Sequence, residues 1–226
     1  MQISIEPAIR VKLPHLLLSG FACRVNVAPS SSELKSEIDR QLSLLAETHT
    51  PESIREMAPV KATKDTYRAL GKDPNRYRPS AEALLRRVAN GRALYDICNV
   101  VDILNLISAT TGFSIGGYDV DNIMGAITLG VGEPEEPYVG IGRGDLNIES
   151  LPVFRDSLSA FGSPTSDSVR TMVSPRTTRF LMVFVAFEAS GDLEQAVVRA
   201  RQLLMQYAGA DDFECFTVSS SSPVNE

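Results

Sequence analysis

The sequence predicts a single α+β domain in which a mixed sheet is packed by helices. Its 226 residues are enough for one well-cored domain and fall below the length at which cores usually divide. Hydrophobic residues make up 43% and charged residues 22%, as in ordinary globular proteins, so neither disorder nor a fibrous repeat is indicated. Helical and strand patterns do not alternate strictly along the chain, which disfavours a doubly wound parallel sheet.

Helices are predicted where apolar residues recur at helical spacing between capping residues. Leu34, Ile38 and Leu42 follow a run of serines that supplies an N-cap. Gly71 and Gly112 stand where two of the helices should end, in the position that glycine favours. The predicted helices are 32–48, 59–70, 81–89, 99–111 and 192–207.

Strands are predicted for short apolar segments bounded by glycine- and proline-bearing turns. The predicted strands are 16–27, 126–131, 138–141, 151–154 and 179–187. The last of these is strongly apolar and is expected to lie in the middle of the sheet. Residues 219–226 are polar, and we expect them to form a flexible tail.

The longest apolar run, within residues 180–187, is far too short to span a bilayer. The N-terminal residues 1–6 lack the order of basic, apolar and small residues that marks a signal peptide. The sequence therefore predicts a cytoplasmic protein without a membrane partner.

The cysteines and histidines give no sign of a metal site or a disulfide framework. Cys23, Cys98 and Cys215 are odd in number and widely spaced, and they are expected to be small buried apolar residues. His15 and His49 lie far from each other and from any cysteine pair. No metal or other cofactor is expected.

The charge is unevenly distributed. The net charge of −6 argues against indiscriminate nucleic-acid binding, and no DNA partner is expected. Residues 61–92, however, carry nine basic and three acidic residues, with arginines beside tyrosines. Such a combination can bind phosphates and stack on bases, although a solvated helix face is the alternative. The candidate RNA-binding residues are Lys64, Arg68, Lys72, Arg76, Arg78, Arg86 and Arg87.

Closely spaced glycines in residues 140–145 resemble a phosphate-binding loop. A P-loop requires a lysine followed by serine or threonine at the start of a helix, and neither is present here. A glycine-built turn between two strands is therefore the preferred interpretation.

Residues 161–171 concentrate hydroxyl groups with one carboxylate and one guanidinium, as ligand-binding loops often do. The alternative is a turn whose side chains satisfy their own backbone. A serine nucleophile would require a nearby base, and only Asp167, next to Ser166, is available in sequence. The segment thus offers candidate binding residues, and the catalytic residues stay unknown.

Asp102 and Asn105 lie three residues apart on the predicted helix 99–111, so both can point from one face. Asn105 is a candidate ligand contact. A buried polar network that joins the helix to a loop is the alternative, because isolated polar groups are costly on an apolar face.

Two groups of motifs occur in order along the chain. The first is Asn99-Val-Val-Asp-Ile-Leu-Asn105, followed by Ser114-Ile-Gly-Gly-Tyr-Asp119, Asn122-Ile123 and Gly125; the second is Phe161-Gly162 with residues 166–169 and the apolar strand after them. Together they resemble the B3/B4 tRNA-editing domain of the phenylalanyl-tRNA synthetase β subunit. The resemblance covers roughly residues 60 to 210, and residues 64–87 are similar to stand-alone members of that family.

The resemblance implies an α+β fold around an amino-acid-sized pocket, which in the synthetase hydrolyses tyrosine misattached to the phenylalanine tRNA. It implies binding of an aminoacyl group or aminoacyl-tRNA, with hydrolysis of a mischarged tRNA in trans by a bound water; a non-catalytic protein that binds an amino-acid-like small molecule is the alternative. No aminoacylation by this chain alone is expected. The candidate pocket residues are Asn105, Gly116, Tyr118, Ser163, Thr165, Ser166, Asp167 and Arg170.

Two positions depart from the family pattern. Gly116 stands where the synthetase has histidine, and Pro164 stands where it has glutamate. Neither side chain can hydrogen-bond a phenol hydroxyl. We therefore expect weak activity toward tyrosine on the phenylalanine tRNA and a changed pocket specificity.

Overall fold

A computed structural model describes residues 1–188 and 191–221. Along the chain it contains β1 (Ile3–Ile5), α1 (Pro7–Lys12), β2 (Leu17–Arg24), α2 (Ser32–Thr48), α3 (Pro51–Glu56), α4 (Ala58–Leu70), α5 (Ser80–Ala89), α6 (Asn99–Thr111), β3 (Ser114–Asp119), β4 (Ile127–Val131), β5 (Val139–Gly140), β6 (Gly144–Asp145), β7 (Pro152–Arg155), β8 (Ala160–Gly162), β9 (Arg179–Ala186), α7 (Leu193–Ala208) and β10 (Asp211–Ser219). Short 3-10 turns occur at Val120–Asn122 and Val169–Thr171.

The strands form two four-stranded sheets and one small hairpin. The first sheet is antiparallel throughout, in the order β10-β2-β9-β3. The second has the order β1-β4-β7-β8 and is mixed, because β1 pairs in parallel with β4. Strands β5 and β6 form the hairpin. The predicted α+β class with a mixed sheet is confirmed, and the strands predicted for one sheet are divided between two.

Strand β9 lies between the two main cores. Phe180, Met182 and Phe184 pack on the side of the helices α2, α6 and α7. The alternate residues Leu181 and Val183 face the second sheet. Because successive side chains of a strand point to opposite faces, a strand covered on both sides is apolar at every position. This explains the apolar run, and the predicted central position of the strand is confirmed.

The capping residues fix the helix ends that the sequence predicts. Ser31 accepts a hydrogen bond from the backbone N–H of Leu34 and begins α2. Gly71 and Gly112 follow α4 and α6 with φ of 92° and 78°, a conformation that favours glycine. None of the helices described has the length and hydropathy that a bilayer crossing requires.

Several elements have no counterpart in the sequence-based expectations: β1, α1, α3, β3, β6, β8 and β10. Strand β3 contains Gly116 and Gly117, which weaken the strand pattern. Strand β10 is largely exposed and begins with two acidic residues, so its sequence resembles a loop. Helix α3 does carry a signal, since Thr50 at the N-cap and Ser53 at the third helical position form a capping box, and Pro51 occupies the first turn.

Strand β10 extends into the segment for which a flexible tail is predicted. Ser219 pairs with Leu17, and the backbone N–H of Ser220 donates to the carbonyl of Leu16 at 2.9 Å. The rest of that predicted tail, residues 222–226, lies outside the described residues.

The glycines of residues 140–145 form the turn of the β5–β6 hairpin. Gly142 and Gly144 have φ of 67° and 70°, which glycine adopts without strain. The turn interpretation is confirmed.

Candidate functional site

The loop between β8 and the 3-10 turn, residues 163–167, is held together by Ser163. The Ser163 hydroxyl accepts the backbone N–H groups of Thr165 at 3.3 Å and Ser166 at 3.2 Å, and it donates to the Ser166 carbonyl at 3.0 Å. Ser163 is buried. Of the two interpretations of this segment, the self-satisfied turn therefore holds for Ser163.

Thr165 joins the loop to α4 and to the segment that precedes α5. Its hydroxyl shares a 2.9 Å hydrogen bond with the buried hydroxyl of Tyr67 and lies 3.5 Å from the carbonyl of Tyr77. The carbonyl of Pro164 accepts the backbone N–H of Ser80 at 2.8 Å. The loop is therefore positioned by the helical layer as well as by β8.

Asp167 receives two hydrogen bonds from β3. The hydroxyl of Tyr118 donates to Oδ1 at 2.8 Å, and the backbone N–H of Gly117 donates to Oδ2 at 3.3 Å. Burial of the carboxyl group raises the pKa of Asp167 to about 7, although these hydrogen bonds act in the opposite direction. Burial and the nearby Asp167 charge raise the pKa of Tyr118 well above its usual value.

The Tyr118 ring fills the space between two glycines. A Cβ atom on Gly116 would lie 2.0 Å from the Tyr118 hydroxyl oxygen, and a Cβ atom on Gly162 would lie 2.1 Å from it. Phe161 and Phe154 pack edge-on against the ring, with centroids 4.9 and 6.2 Å away. The absence of a side chain at Gly116, one of the two departures from the family pattern, thus makes room for the phenol of Tyr118.

Ser166 is half-buried at the edge of this arrangement. Its carbonyl accepts the Tyr138 hydroxyl at 2.7 Å, and its own hydroxyl makes a long 3.4 Å contact with the Asp167 carbonyl. Within the described residues, no histidine or carboxylate oxygen hydrogen-bonds to the Ser166 hydroxyl. The arrangement does not supply the base that a serine nucleophile requires.

Arg170 connects three loops beside the site. Its guanidinium forms an ion pair with the buried carboxylate of Asp156 at 2.9 and 3.1 Å and donates to the carbonyls of Asn122 and Ser159. Arg170 also lies 5.7 Å from the centroid of the Phe161 ring. In this structure its polar contacts hold the protein together.

Asp102 and Asn105 have different surroundings on α6. Asp102 is buried and accepts the hydroxyl of Ser30 at 2.5 Å and the backbone N–H of Ile97 at 3.0 Å. Asp102 therefore belongs to a buried polar network that joins α6 to the loop residues Ser30 and Ile97. Asn105 is half-buried, and its side chain has no hydrogen-bond partner in the part of the chain described. No hydrogen bond joins Asn105 to the loop 163–167 there.

The model of one protein family, the B3/4 domain, matches residues 62–209, which is more than half of the chain. This chain belongs to the B3/4 domain family. The resemblance found in the sequence is thereby confirmed.

Among solved structures, this B3/4 domain is similar to an N-terminal fragment of the phenylalanyl-tRNA synthetase β subunit from Pyrococcus horikoshii. The two share 11% sequence identity with a TM-score of 0.47, and the match covers 96% of this chain and 50% of that one. The chain thus spans about half the length of that fragment. No curated protein matches the chain.

Three of the nine basic residues of the segment 61–92 have partners inside the B3/4 domain. Lys64 and Arg86 contact the buried carboxylate of Glu82 at 3.3 and 2.8 Å. Buried Lys72 donates to the carbonyls of Asn147 at 3.0 Å and Glu149 at 2.6 Å. For Lys64, Lys72 and Arg86, the structure therefore shows structural contacts where RNA binding was expected.

Two further arginines of this segment have partners at the surface. Arg68 pairs with Asp65 on the same helix. Arg87 donates to the carbonyl of Ala93 and lies over the Tyr95 ring. These contacts leave both side chains exposed or partly exposed.

Arg76 and Arg78 remain exposed, and neither has an ion-pair partner among the described residues. Sequence reasoning missed a third such residue, Arg143, at the tip of the β5–β6 hairpin. It also missed Tyr67 and Tyr138, whose hydroxyls fix the loop. The glycines around Arg143 were the available signal, because a turn brings its side chain to the surface.

The described residues contain no cluster of three His, Cys, Asp or Glu side chains placed to bind a metal.

Proposed function

We propose that this B3/4 domain binds an aminoacyl group carried on the 3′ end of a tRNA, with Ser166 at the contact surface. The observation that supports this proposal is a set of three exposed arginines beside the loop 163–167. We call this set the arginine rim; it consists of Arg76, Arg78 and Arg143.

The arginine rim approaches the loop from two sides. On one side, the carbonyl of Tyr77, between Arg76 and Arg78, contacts the Thr165 hydroxyl. On the other side, a Cβ atom on Gly140 would lie 3.2 Å from the Ser166 hydroxyl and 3.5 Å from the Cβ of Arg143. The hairpin is also tied to the loop, since the N–H of Ile141 donates to the Asp167 carbonyl at 2.9 Å.

Exposed guanidinium groups bind phosphate strongly because their fork of donors matches its oxygens. Arg76 lies over the Tyr77 ring at 5.6 Å, but none of the three arginines has an ion-pair partner among the described residues. Together they create a local positive region on a chain whose net charge is −6. A tRNA 3′ end brings phosphates and an ester-linked amino acid together. The rim would bind the phosphates while the loop meets the aminoacyl group.

The site supports binding more directly than catalysis by a side chain. Ser166 lacks a base, and the Asp167 carboxyl is already hydrogen-bonded to Tyr118 and Gly117. Any hydrolysis would therefore use a water placed by the bound substrate and the backbone. Tyrosine on the phenylalanine tRNA is expected to be a poor substrate.

The proposal is tested by tRNA binding to a triple variant, Arg76→Ser, Arg78→Ser and Arg143→Ser. Its matched control carries Lys12→Ser, Arg55→Ser and Arg176→Ser, which remove three exposed cations from outside the segment 61–92 and the β5–β6 hairpin. Fluorescence anisotropy with labelled tRNA should show at least about tenfold weaker binding for the rim variant. Its affinity should also depend less steeply on salt concentration, because a protein that makes fewer phosphate contacts releases fewer counterions on binding. Equal affinities of the two triple variants would refute the role of the rim.

A second measurement separates binding from editing. The purified protein is incubated with a panel of mischarged tRNAs, and release of the amino acid is followed. Release from at least one tRNA, lost in the rim variant, identifies an editing hydrolase. Tight tRNA binding without release identifies a binding domain, and retention of a free amino acid without tRNA binding identifies the small-molecule alternative.

A further inference from the structure

The surroundings of Tyr118 have the shape and polarity of a binding site for a phenol. Two glycines, Gly116 on β3 and Gly162 on β8, leave room for the hydroxyl end of the ring, where a Cβ on either would approach the oxygen to about 2 Å. Such a distance is well inside van der Waals contact, so alanine at either position would force the Tyr118 ring or the backbone to shift. Phe161 and Phe154 form the walls.

The polar end of this space also suits the hydroxyl group of a phenol. The hydroxyl meets a carboxylate oxygen of Asp167 at 2.8 Å, and the backbone N–H of Gly117 holds the other oxygen. A carboxyl group withdrawn from water and fixed by a backbone donor discriminates strongly between a ring with a hydroxyl and a ring without one, because the unused acceptor would stay unpaired. We call Gly116, Gly162, Phe154, Phe161 and Asp167 the phenol cage.

We propose that Tyr118 occupies this phenol cage as an internal ligand and thereby excludes aromatic side chains from the aminoacyl site. This inference rests on the proposed function for its biological meaning. Asp167 is a member of the cage, and both it and its chain neighbour Ser166 are half-buried, whereas Tyr118 is fully buried. Under the proposed function, an aminoacyl side chain that enters past Ser166 would meet the hydroxyl end of the Tyr118 ring. Small and polar aminoacyl groups are the class that the closed site accepts.

The cage is tested with phenol as the probe. In Tyr118→Ala the vacated space is lined by Phe154 and Phe161, and apolar cavities of about ring size bind small aromatic molecules. Phenol at about five times its Kd should raise the Tm of Tyr118→Ala by about 2–4 °C and leave the wild-type Tm unchanged. Toluene should give a smaller shift because it cannot pair with Asp167. Tyr118→Phe, which keeps the ring, should give no shift, and an equal response of Tyr118→Phe and Tyr118→Ala would overturn the proposal.

A second pair of variants does not require Tyr118→Ala to fold. Gly162→Ala should lower the Tm strongly in the wild type, since the new methyl group meets the Tyr118 hydroxyl. In a Tyr118→Leu background the hydroxyl end of the ring is gone, and the same substitution should lower the Tm by less than half as much. Equal losses in the two backgrounds would show that Tyr118 does not define this space.

The link to specificity is tested separately with tyrosine methyl ester and alanine methyl ester. Tyr118→Ala should gain at least about tenfold in affinity for the tyrosine ester and should not gain for the alanine ester. Phenol binding without this gain would overturn the role of Tyr118 in specificity. Neither ester measurement involves tRNA, so failure here is distinct from failure of the arginine rim to bind tRNA.

Discussion

The hydroxyl of Tyr118 and the carboxylate of Asp167 are joined by a 2.8 Å hydrogen bond that links β3 to the loop 163–167. Tyr118 is fully buried and Asp167 is half-buried. Burial disfavours the ionised form of a carboxyl group. The pKa of Asp167 is accordingly raised from 3.8 to about 7. The domain thus contains a carboxyl group that changes its charge near neutral pH.

This raised pKa predicts a decrease in stability with rising pH. In the unfolded chain Asp167 loses its proton near its usual pKa of 3.8, whereas in the folded chain it keeps the proton until about pH 7. The folded state therefore binds more protons between these values, and its free energy of unfolding falls as pH rises from about 4 to 7. Relative to wild type, Asp167→Asn should become progressively more stable over this range.

The measurement is the Tm of wild type and Asp167→Asn at several pH values from 4 to 8. The matched control is Asp121→Asn, which replaces an exposed carboxylate near the same loops. The Tm of this control should follow that of the wild type throughout. A constant Tm difference between wild type and Asp167→Asn would contradict the assignment.

Lys72 is predicted to act as a structural lysine. Its ammonium group donates to the carbonyls of Asn147 and Glu149 and lies 3.8 Å from the centroid of the Tyr77 ring. Burial lowers the pKa of Lys72, which fits a group withdrawn from water. Lys72→Met should lower the free energy of unfolding by about 1.5–3 kcal/mol, because hydrogen bonds from a charged donor to the carbonyls of Asn147 and Glu149 are lost.

Urea unfolding checks this expectation, with Lys61→Met as the control. Lys61 is an exposed lysine of the same basic segment, and its replacement should change stability by no more than about 0.5 kcal/mol. Similar small effects of both substitutions would show that the Lys72 contacts contribute little.

Glu82 is predicted to be the most sensitive charge of the helical layer. Its buried carboxylate lies between Lys64 and Arg86, so Glu82→Gln leaves two cations without their counter-charge. We expect a loss of about 3 kcal/mol or more. Lys64→Met should then cost less in the Glu82→Gln background than in the wild type, because it removes one uncompensated charge.

A double-mutant cycle measured by urea unfolding gives the coupling between Lys64 and Glu82. We expect a coupling of about 1–2 kcal/mol and tRNA affinities that differ little among variants that remain folded. Strictly additive losses would show that Lys64 and Glu82 are not coupled. A selective loss of tRNA affinity in Lys64→Met would support Lys64 as an RNA-binding residue.

The sequence predicts the parts of the fold that local chemistry controls. Helices α2, α4 and α6 are recognisable because a serine or a glycine marks an end of each. Strand β3 is concealed because Gly116 and Gly117, which serve the packing of Tyr118 and Leu104, lack the side chains that indicate a strand. Tertiary packing, which no local pattern records, decided its conformation.

The candidate site shows the same limit. Tyr118, Ser163, Thr165, Ser166 and Asp167 lie close together, as their motifs suggest, through hydrogen bonds that the structure describes. A charge run cannot reveal which of its members turn inward, and Lys64 and Lys72 do so because carbonyl or carboxylate groups distant in sequence surround them. Arg143 was missed because it is isolated in sequence from the basic segment, although the glycines around it indicate an exposed turn.

Strand β9 has a consequence for how the molecule comes apart. Its side chains belong alternately to the core beneath the helices and to the core between the sheets, and its backbone is hydrogen-bonded to β2 on one edge and β3 on the other. Neither core can lose its order while the other keeps a native β9. The two layers should therefore melt in one cooperative transition, and the amide protons of β9 should exchange with solvent only through global opening.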